Sequence, residues 1–307
     1  MRENREDKVM TAREAVDRFV FDGALVGLGG QNVGRCGMAI SHEIVRQGKK
    51  DLILCGCNLS ISMDILVGAD LVRRTEAGTG NLERFGATFC WRRAVEAGSV
   101  EMEDYSHLAV MSRFLAGEMG LPFMPVKSLL GSDMLRKQAE STQKKYELMD
   151  NPWNPGESVV LLPALNPDVA IIHAQKADPM GNVVIEGFLA HDVEMVRASR
   201  HAIVSCEEIV STDRIRNDPE RTTIPYIHVS AVVEQPYGAH PTATYRYYDY
   251  DSDHLTYYQR CAREGGEMYQ QYLKEYVLGC DDFEHYLDKV GGIRKLMGLK
   301  KAMQGMI

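Results

Sequence analysis

The sequence predicts an α/β fold: an open, mostly parallel sheet with helices on both faces. Short apolar runs alternate with segments of helical spacing along the first half of the chain, the rhythm of β-turn-α units. Further apolar runs follow a polar stretch at residues 131–156, so the sheet resumes beyond it. The 307 residues, 45% hydrophobic and 25% charged, have the composition of a globular protein with a sizeable core. A single domain is expected over residues 1–307, with a small inserted lobe at about 131–156 and a helical tail at about 252–307.

Residues 12–20 read as a helix capped by Thr11, with Glu14 at the spacing of a capping box. A short strand at 24–28 runs into a glycine-rich turn. Met38, Ile40, Ile44 and Val45 give residues 38–47 helical spacing that ends at Gly48, and a second strand follows at 51–55. Residues 63–67 look helical, 71–73 suit a short strand, and 85–96 suit a helix ending near Gly98. Another helical stretch covers 107–117. The excursion at 131–156 contains Asn151-Pro152-Trp153-Asn154-Pro155-Gly156, whose prolines supply no ladder donors. Strands are then expected at 159–162, 169–173, 183–185, 202–206 and 228–233. A long helix at 257–276, weakened at Gly265-Gly266, precedes a basic helical segment at 283–303.

Lys plus Arg number 35 against 43 Asp plus Glu, a net charge of −8. That sign gives no attraction to phosphate backbones or anionic lipid, so neither nucleic acid nor membrane is expected as a partner. The charged N-terminus is not followed by the apolar stretch of a secretory signal, and no run approaches the ~20 apolar residues of a membrane span. Seven cysteines, an odd number, suit reduced thiols. A cytoplasmic location is the expectation. Cys55-Gly56-Cys57 lacks a second ligand pair at zinc spacing, so no metal is expected.

Gly27-Leu28-Gly29-Gly30-Gln31-Asn32-Val33-Gly34-Arg35 lies between a strand and a helix. Glycines there let backbone amides approach a ligand, and the following helix N-terminus favours anions. A phosphate, a carboxylate or a thioester oxygen would suit the loop, and so would a plain tight turn. It is not a P-loop, and Asn32 stands where a dinucleotide fingerprint needs glycine. A second loop, His173 to Asn182, carries the turn residues Asp178-Pro179 and Gly181-Asn182 and presents either a substrate-facing His173 or Gln175 or a buried histidine. Glu101, Glu103 and Asp104 form an acidic cluster that suits acid–base chemistry if buried, or a solvated helix start.

The glycine loop, Met63-Asp64-Ile65-Leu66-Val67-Gly68, Met102-Glu103-Asp104-Tyr105-Ser106, Leu121-Pro122-Phe123-Met124-Pro125-Val126, Asp168 to Gln175, Cys206-Glu207-Glu208-Ile209 and Pro236-Tyr237-Gly238-Ala239-His240-Pro241 occur in one order. In this the chain resembles the α subunit of family I coenzyme A transferases, most closely the glutaconate type. The resemblance implies an α/β subunit that works with a β subunit of similar fold in a hetero-oligomer, α2β2 or larger. It implies coenzyme A as substrate and no tightly bound cofactor. In that family a β-subunit glutamate, set in Glu-Asn-Gly or a similar sequence, forms an acyl anhydride and then a glutamyl-CoA thioester.

No Glu-Asn-Gly occurs in this chain, so the nucleophile is expected in the partner. Gly29, Gly30 and Gln31 are then expected to stabilise a thioester oxygen or carboxylate, with Asn32, Arg35 and Asn81 as further substrate contacts and Arg35 paired with a substrate carboxylate. A dicarboxylate such as glutaconate is one candidate substrate. The stretch Gln31 to Gly37 departs from the family's threonine-rich continuation. The alternatives are a ring-cleaving acyl-CoA hydrolase of the steroid-degradation type, using Glu101, Glu103 or Asp104, and a non-catalytic acyl-CoA-sensing module.

Overall fold

A computed structural model describes residues 7–139 and 144–305. Helix α1 (Ala12–Phe19) opens on the expected capping box: Thr11 Oγ1 accepts the Glu14 amide at 3.2 Å, and Glu14 Oε2 accepts the Thr11 amide at 2.9 Å. β1 (Leu25–Leu28) leads to α2 (Met38–Gln47), which ends at Gly48 in the left-handed conformation. β2 (Leu52–Leu59), α3 (Ile61–Gly68), β3 (Val72–Gly80), α4 (Phe89–Glu96), β4 (Glu101–Asp104) and α5 (His107–Glu118) follow. β5 (Phe123–Val126), α6 (Asp133–Ala139), β6 (Glu147–Asp150) and β7 (Ser158–Pro163) come next; their strands make a separate antiparallel sheet in the order β5-β7-β6. The chain returns through β8 (Val169–Ala177), β9 (Val183–Val184), α7 (Asp192–Ala198), β10 (His201–Ile209), α8 (Thr212–Arg216) and β11 (Ala231–Glu234). α9 (Ser252–Glu264), α10 (Gly266–Leu273), α11 (Phe283–Lys289) and α12 (Gly292–Gln304) complete it.

The main sheet runs β11-β10-β8-β1-β2-β3-β4 with these neighbours parallel, and β9 pairs antiparallel with β8. This is the expected mostly parallel α/β sheet. Alternate residues of β8 feed opposite cores: Val169 and Ile171 pack with α1, α2, α3 and the C-terminal helices, whereas Ala170 and Ile172 pack with α5 and α7. Each buried Val, Leu or Ile contributes about 1.5–3 kcal/mol, and the two faces together bury the central strands β1, β2 and β8.

Several expected elements differ, each for a physical reason. β3 is not a three-residue strand at 71–73 but runs on to Gly80, because the charges of Arg74 and Glu76 inside it neutralise one another at 3.0 Å. β4 covers residues expected only as an acidic cluster; it pairs Glu101 beside Arg74 in parallel register. β2 reaches Leu59, and β8 continues through His173 and Gln175 to Ala177. The helix expected at 85–96 begins only at Phe89, after a 3-10 turn at Glu83–Phe85 and Gly86 with φ +106°. The strand expected at 228–233 is shorter, and the segment 283–303 breaks at Gly291 and Gly292, both with positive φ. No helix among the described residues is long and apolar enough to cross a membrane.

Candidate functional site

β1 is the strand at which the chain's direction across the sheet reverses. After it the chain builds outward through β2, β3 and β4; later it builds the other way through β8, β10 and β11. The loops leaving such a point diverge and open a crevice at the carboxyl ends of the strands. The glycine loop begins there. A Cβ on Gly29 would stand 2.6 Å from Ile172 Cγ2 and 2.8 Å from Asp192 Oδ1. Gly30 has φ +77°, and a Cβ on it would meet the backbone of Gly34 and Arg35 at 2.6 Å. Neither position tolerates a side chain.

The backbone donors of Gly29, Gly30 and Gln31 have partners within the chain. The Gly29 amide donates to Ile171 O at 2.9 Å, Gly30 to Asp192 Oδ1 at 2.9 Å, and Gln31 to Gly34 O at 2.9 Å. These three amides are therefore spent inside the chain. Gly34 N–H returns a bond to Gln31 O at 2.8 Å, closing a turn with Asn32 (φ +52°) and Val33 at its tip. The amides of Asn32 and Val33 and the side-chain amide of Gln31 have no hydrogen-bond partner among the described residues. So the loop's free donors sit one or two residues beyond the glycines.

Arg35, expected to hold a substrate carboxylate, is turned inward. Its Nη1 pairs with Asp192 Oδ2 at 2.7 Å and donates to His173 O at 3.0 Å, while Nη2 donates to Phe188 O at 2.7 Å. Only 5% of the residue is exposed. Asp192, the first residue of α7, thus holds both Gly30 and Arg35 and fixes the loop's shape. Sequence reasoning missed it because it lies 157 residues from Arg35 with no motif around it. Losing one partner of such a buried pair costs about 3–5 kcal/mol.

Three strand ends meet beside this loop. Asn58, near the end of β2, donates through Nδ2 to Asn32 Oδ1, and Asn32 Nδ2 donates to Glu83 Oε1. Asn81 follows β3; its Oδ1 accepts the Glu83 amide at 3.0 Å and holds Glu83 at φ +56°. Of the expected site residues, Gly29, Gly30, Gln31, Asn32 and Asn81 come together here. Asn58 and Glu83 were missed, although a polar residue closing the run Leu52-Ile53-Leu54-Cys55-Gly56-Cys57 was a visible signal for Asn58. Cys36 lies under the loop with its thiol pushed up to about 12 by burial, so it is no nucleophile at neutral pH.

The acidic cluster lies elsewhere. β4 is the sheet edge, with β2 and β3 between it and β1. Glu101 is exposed and Asp104 half-buried there, while Glu103 is buried against Arg74 Nε at 3.5 Å and Lys145. Glu76 meets Arg74 at 3.0 Å and Arg113 at 3.0 Å, and the Arg113 guanidinium lies 4.5 Å over the Tyr105 ring. Burial raises the Glu103 carboxyl, with Glu76 adding to it. Burial would raise Glu76 too, but Arg113, Lys145 and Arg74 outweigh it and hold it low. His173 is equally enclosed, Nδ1 on Ser205 Oγ at 2.9 Å and Nε2 on Glu207 Oε1 at 2.6 Å, and Gln175 bridges to Glu186 and Tyr245 backbone. All seven cysteines are buried and unpaired, with Cys55 and Cys57 packed beside α5, and no cluster of three His, Cys, Asp or Glu among the described residues is placed to hold a metal.

Residues 9–235 match the family model described as coenzyme A transferase. The chain is 38% identical over 309 residues to the A-type subunit of glutaconate CoA-transferase from Acidaminococcus fermentans, covering 95% of this chain and 94% of that one. It is 34% identical over 286 residues to the A-type subunit of 3-oxoadipate CoA-transferase from Pseudomonas knackmussii, covering 92% and 98%. A 41% identical relative from Archaeoglobus fulgidus, uncharacterised in function, is longer: the chain spans 65% of its length. The crystal structure of glutaconate coenzyme A-transferase from Acidaminococcus fermentans superposes with a TM-score of 0.90 over 95% of each chain, at 37% identity.

Proposed function

Because the chain belongs to the coenzyme A transferase family, we propose that it is the α-type subunit of a two-subunit enzyme that moves coenzyme A from an acyl-CoA to a carboxylic acid. The observation that carries this reading is the turn at the switch point, with unpaired amides on Asn32 and Val33 beside the free Gln31 side chain. A thioester oxygen gains negative charge when its carbonyl is attacked, and donors fixed in advance stabilise that charge without reorganising.

The nucleophile is assigned to a glutamate of a β-type partner. Its carboxylate oxygen bonds to the acyl carbon as the C–S bond breaks, giving an acyl-glutamyl anhydride and a CoA thiolate. The thiolate then attacks the glutamyl carbonyl, releasing the first acid and leaving a glutamyl-CoA thioester. The acceptor carboxylate runs the same two steps backwards, so thioester energy is conserved. In this chain Gly29 and Gly30 shape the loop, Arg35 positions it, and Asn81 holds the neighbouring turn. Residues 1–307 form a single unit in this reading; its lobe, expected at about 131–156, widens to the β5-β7-β6 sheet, which also takes the strand expected at 159–162 out of the main sheet.

The hydrolase alternative is weaker. The acids it would use lie on β4 at the sheet edge, beyond β2 and β3 from β1, with Glu103 drawn into the edge network, and the two relatives above whose activity is named are transferase subunits. Isotope exchange separates the readings. The chain, purified together with the protein that accompanies it, is mixed with acyl-CoA and the same acid in labelled form. A transferase puts label into acyl-CoA while total thioester stays constant. Thioester lost to water would indicate a hydrolase, and saturable binding with neither would indicate a sensing module.

A further inference from the structure

The polar cluster beside the glycine loop has a direction that the structure fixes. An ionised glutamate only accepts hydrogen bonds, so the Asn32 group touching Glu83 Oε1 is its NH2. Asn32 then presents its oxygen to Asn58, which must donate with its own NH2. The chain of amides is thereby polarised toward Glu83. What it leaves over differs at the two ends: Asn58 Oδ1 is buried without a partner, whereas Glu83 is exposed, with Oε2 open to solvent beside the loop. Only 6% of Asn58 is exposed, so its oxygen is an uncompensated buried acceptor under the Asn32 turn.

The buried cation of the loop is committed elsewhere, and the exposed Arg84 is held against aromatic rings. Arg35 is consumed by Asp192 and two carbonyls. Arg84, next to Glu83, lies over the rings of Phe85 and Tyr250 at 5.0 and 5.1 Å. From this arrangement, and resting on the transferase reading above, we infer that Glu83 is a specificity-determining residue that selects acyl groups carrying a hydrogen-bond donor, a hydroxyl or an ammonium, over acyl groups with a second carboxylate. A donor on the acyl chain would replace water at the exposed Glu83 Oε2. A distal carboxylate would meet the Glu83 charge and be repelled by it.

The test uses the chain in complex with its β-type partner and three probes of similar length: 4-hydroxybutyryl-CoA, butyryl-CoA and glutaryl-CoA. Equilibrium binding is measured for wild type and Glu83→Gln, with isotope exchange measured separately. The wild type is expected to bind 4-hydroxybutyryl-CoA at least about tenfold more tightly than glutaryl-CoA. Glu83→Gln should narrow that ratio mainly by improving glutaryl-CoA, leaving butyryl-CoA nearly unchanged. Equal binding of the two, an unchanged ratio in the variant, or no binding of any probe overturns the inference. A wild-type preference for glutaryl-CoA also overturns it and passes recognition to Arg84. Selective binding without exchange would instead reject the transferase reading and leave the role of Glu83 standing.

Discussion

At the β3–β4 edge, Glu76 and Glu103 meet Arg74, Arg113 and Lys145, and each carboxylate has a cation against it. At the carboxyl ends of β1, β2 and β3, Asn32, Asn58 and Glu83 also touch one another, but that cluster stops short of closure. Both regions gather polar residues around a glutamate on or beside β3. Their difference is in what remains unpaired. The edge network leaves charge balanced and buried, which holds a strand in place; the loop cluster leaves amides and a carboxylate oxygen facing outward, where a ligand or partner can reach them. Chemical type marks a polar residue as interesting, whereas its unpaired atoms say whether it is a site.

The contrast is broken hardest at the loop itself. Gly30→Val would drive a side chain into the Arg35 backbone at a positive φ, displacing the free amides. Turnover of the complex should fall by at least about 100-fold, with some lost stability as well. Near-normal kcat/KM would remove the loop from the site. At the edge the expectation reverses: Arg113→Met strips Glu76 of its 3.0 Å partner and should cost about 3–5 kcal/mol of stability, while folded protein keeps its KM. Urea unfolding alongside steady-state kinetics reads both, and a changed acyl preference in that variant would erase the distinction.

A third polar setting sharpens the comparison through pH. Asp64 is fully buried, accepting from the Trp91 amide at 2.8 Å and the Tyr258 hydroxyl at 2.7 Å, with no ion pair among the described residues. Burial pushes its carboxyl up to about 6. The folded state therefore holds this proton more firmly than the unfolded state, whose aspartate titrates at about 3.9. Through Asp64, stability falls as pH rises between those values, and the penalty is complete above the higher one. Glu76 has the opposite sign: its carboxyl is held low, so its contribution is present above the ordinary glutamate range and lost as pH falls through the folded value. Asp64→Asn should raise the thermal midpoint at pH 7 relative to wild type and close that gap near pH 4; parallel profiles would contradict the assignment. The smallest effect belongs to Asn81→Ala, which removes the acceptor for the Glu83 amide. Stability should drop by about 1 kcal/mol, and the preference between 4-hydroxybutyryl-CoA and glutaryl-CoA should weaken without vanishing.

What was legible in the sequence was local. The Thr11–Glu14 capping box and the Gly48 stop each depend on residues within one turn of each other, and both stand as expected. The Gly29-Gly30 loop was legible for the same reason, since a glycine pair between strand and helix carries its own geometric message. β4 was not: Glu101-Met102-Glu103-Asp104 looks solvated until Arg74, far back in β3, supplies the counter-charge. The role of Arg35 was likewise undecidable, because a free arginine and one paired with Asp192 have the same sequence around them. Asn58 and Glu83 escaped notice because what unites them with Asn32 is the alignment of three strand ends, a property of the folded sheet alone.

The most direct test of the central claim, that this chain supplies the oxyanion-stabilising half of a shared site, is to trap the covalent intermediate. The complex is mixed with acyl-CoA, quenched with borohydride, and the glutamates of both chains are mapped by mass spectrometry. Reduction of a glutamate in the β-type partner, with every glutamate of this chain including Glu83 intact, is the predicted result. A reduced glutamate in this chain, at Glu83 above all, or thioester consumption with no reduced residue in either protein, would contradict it.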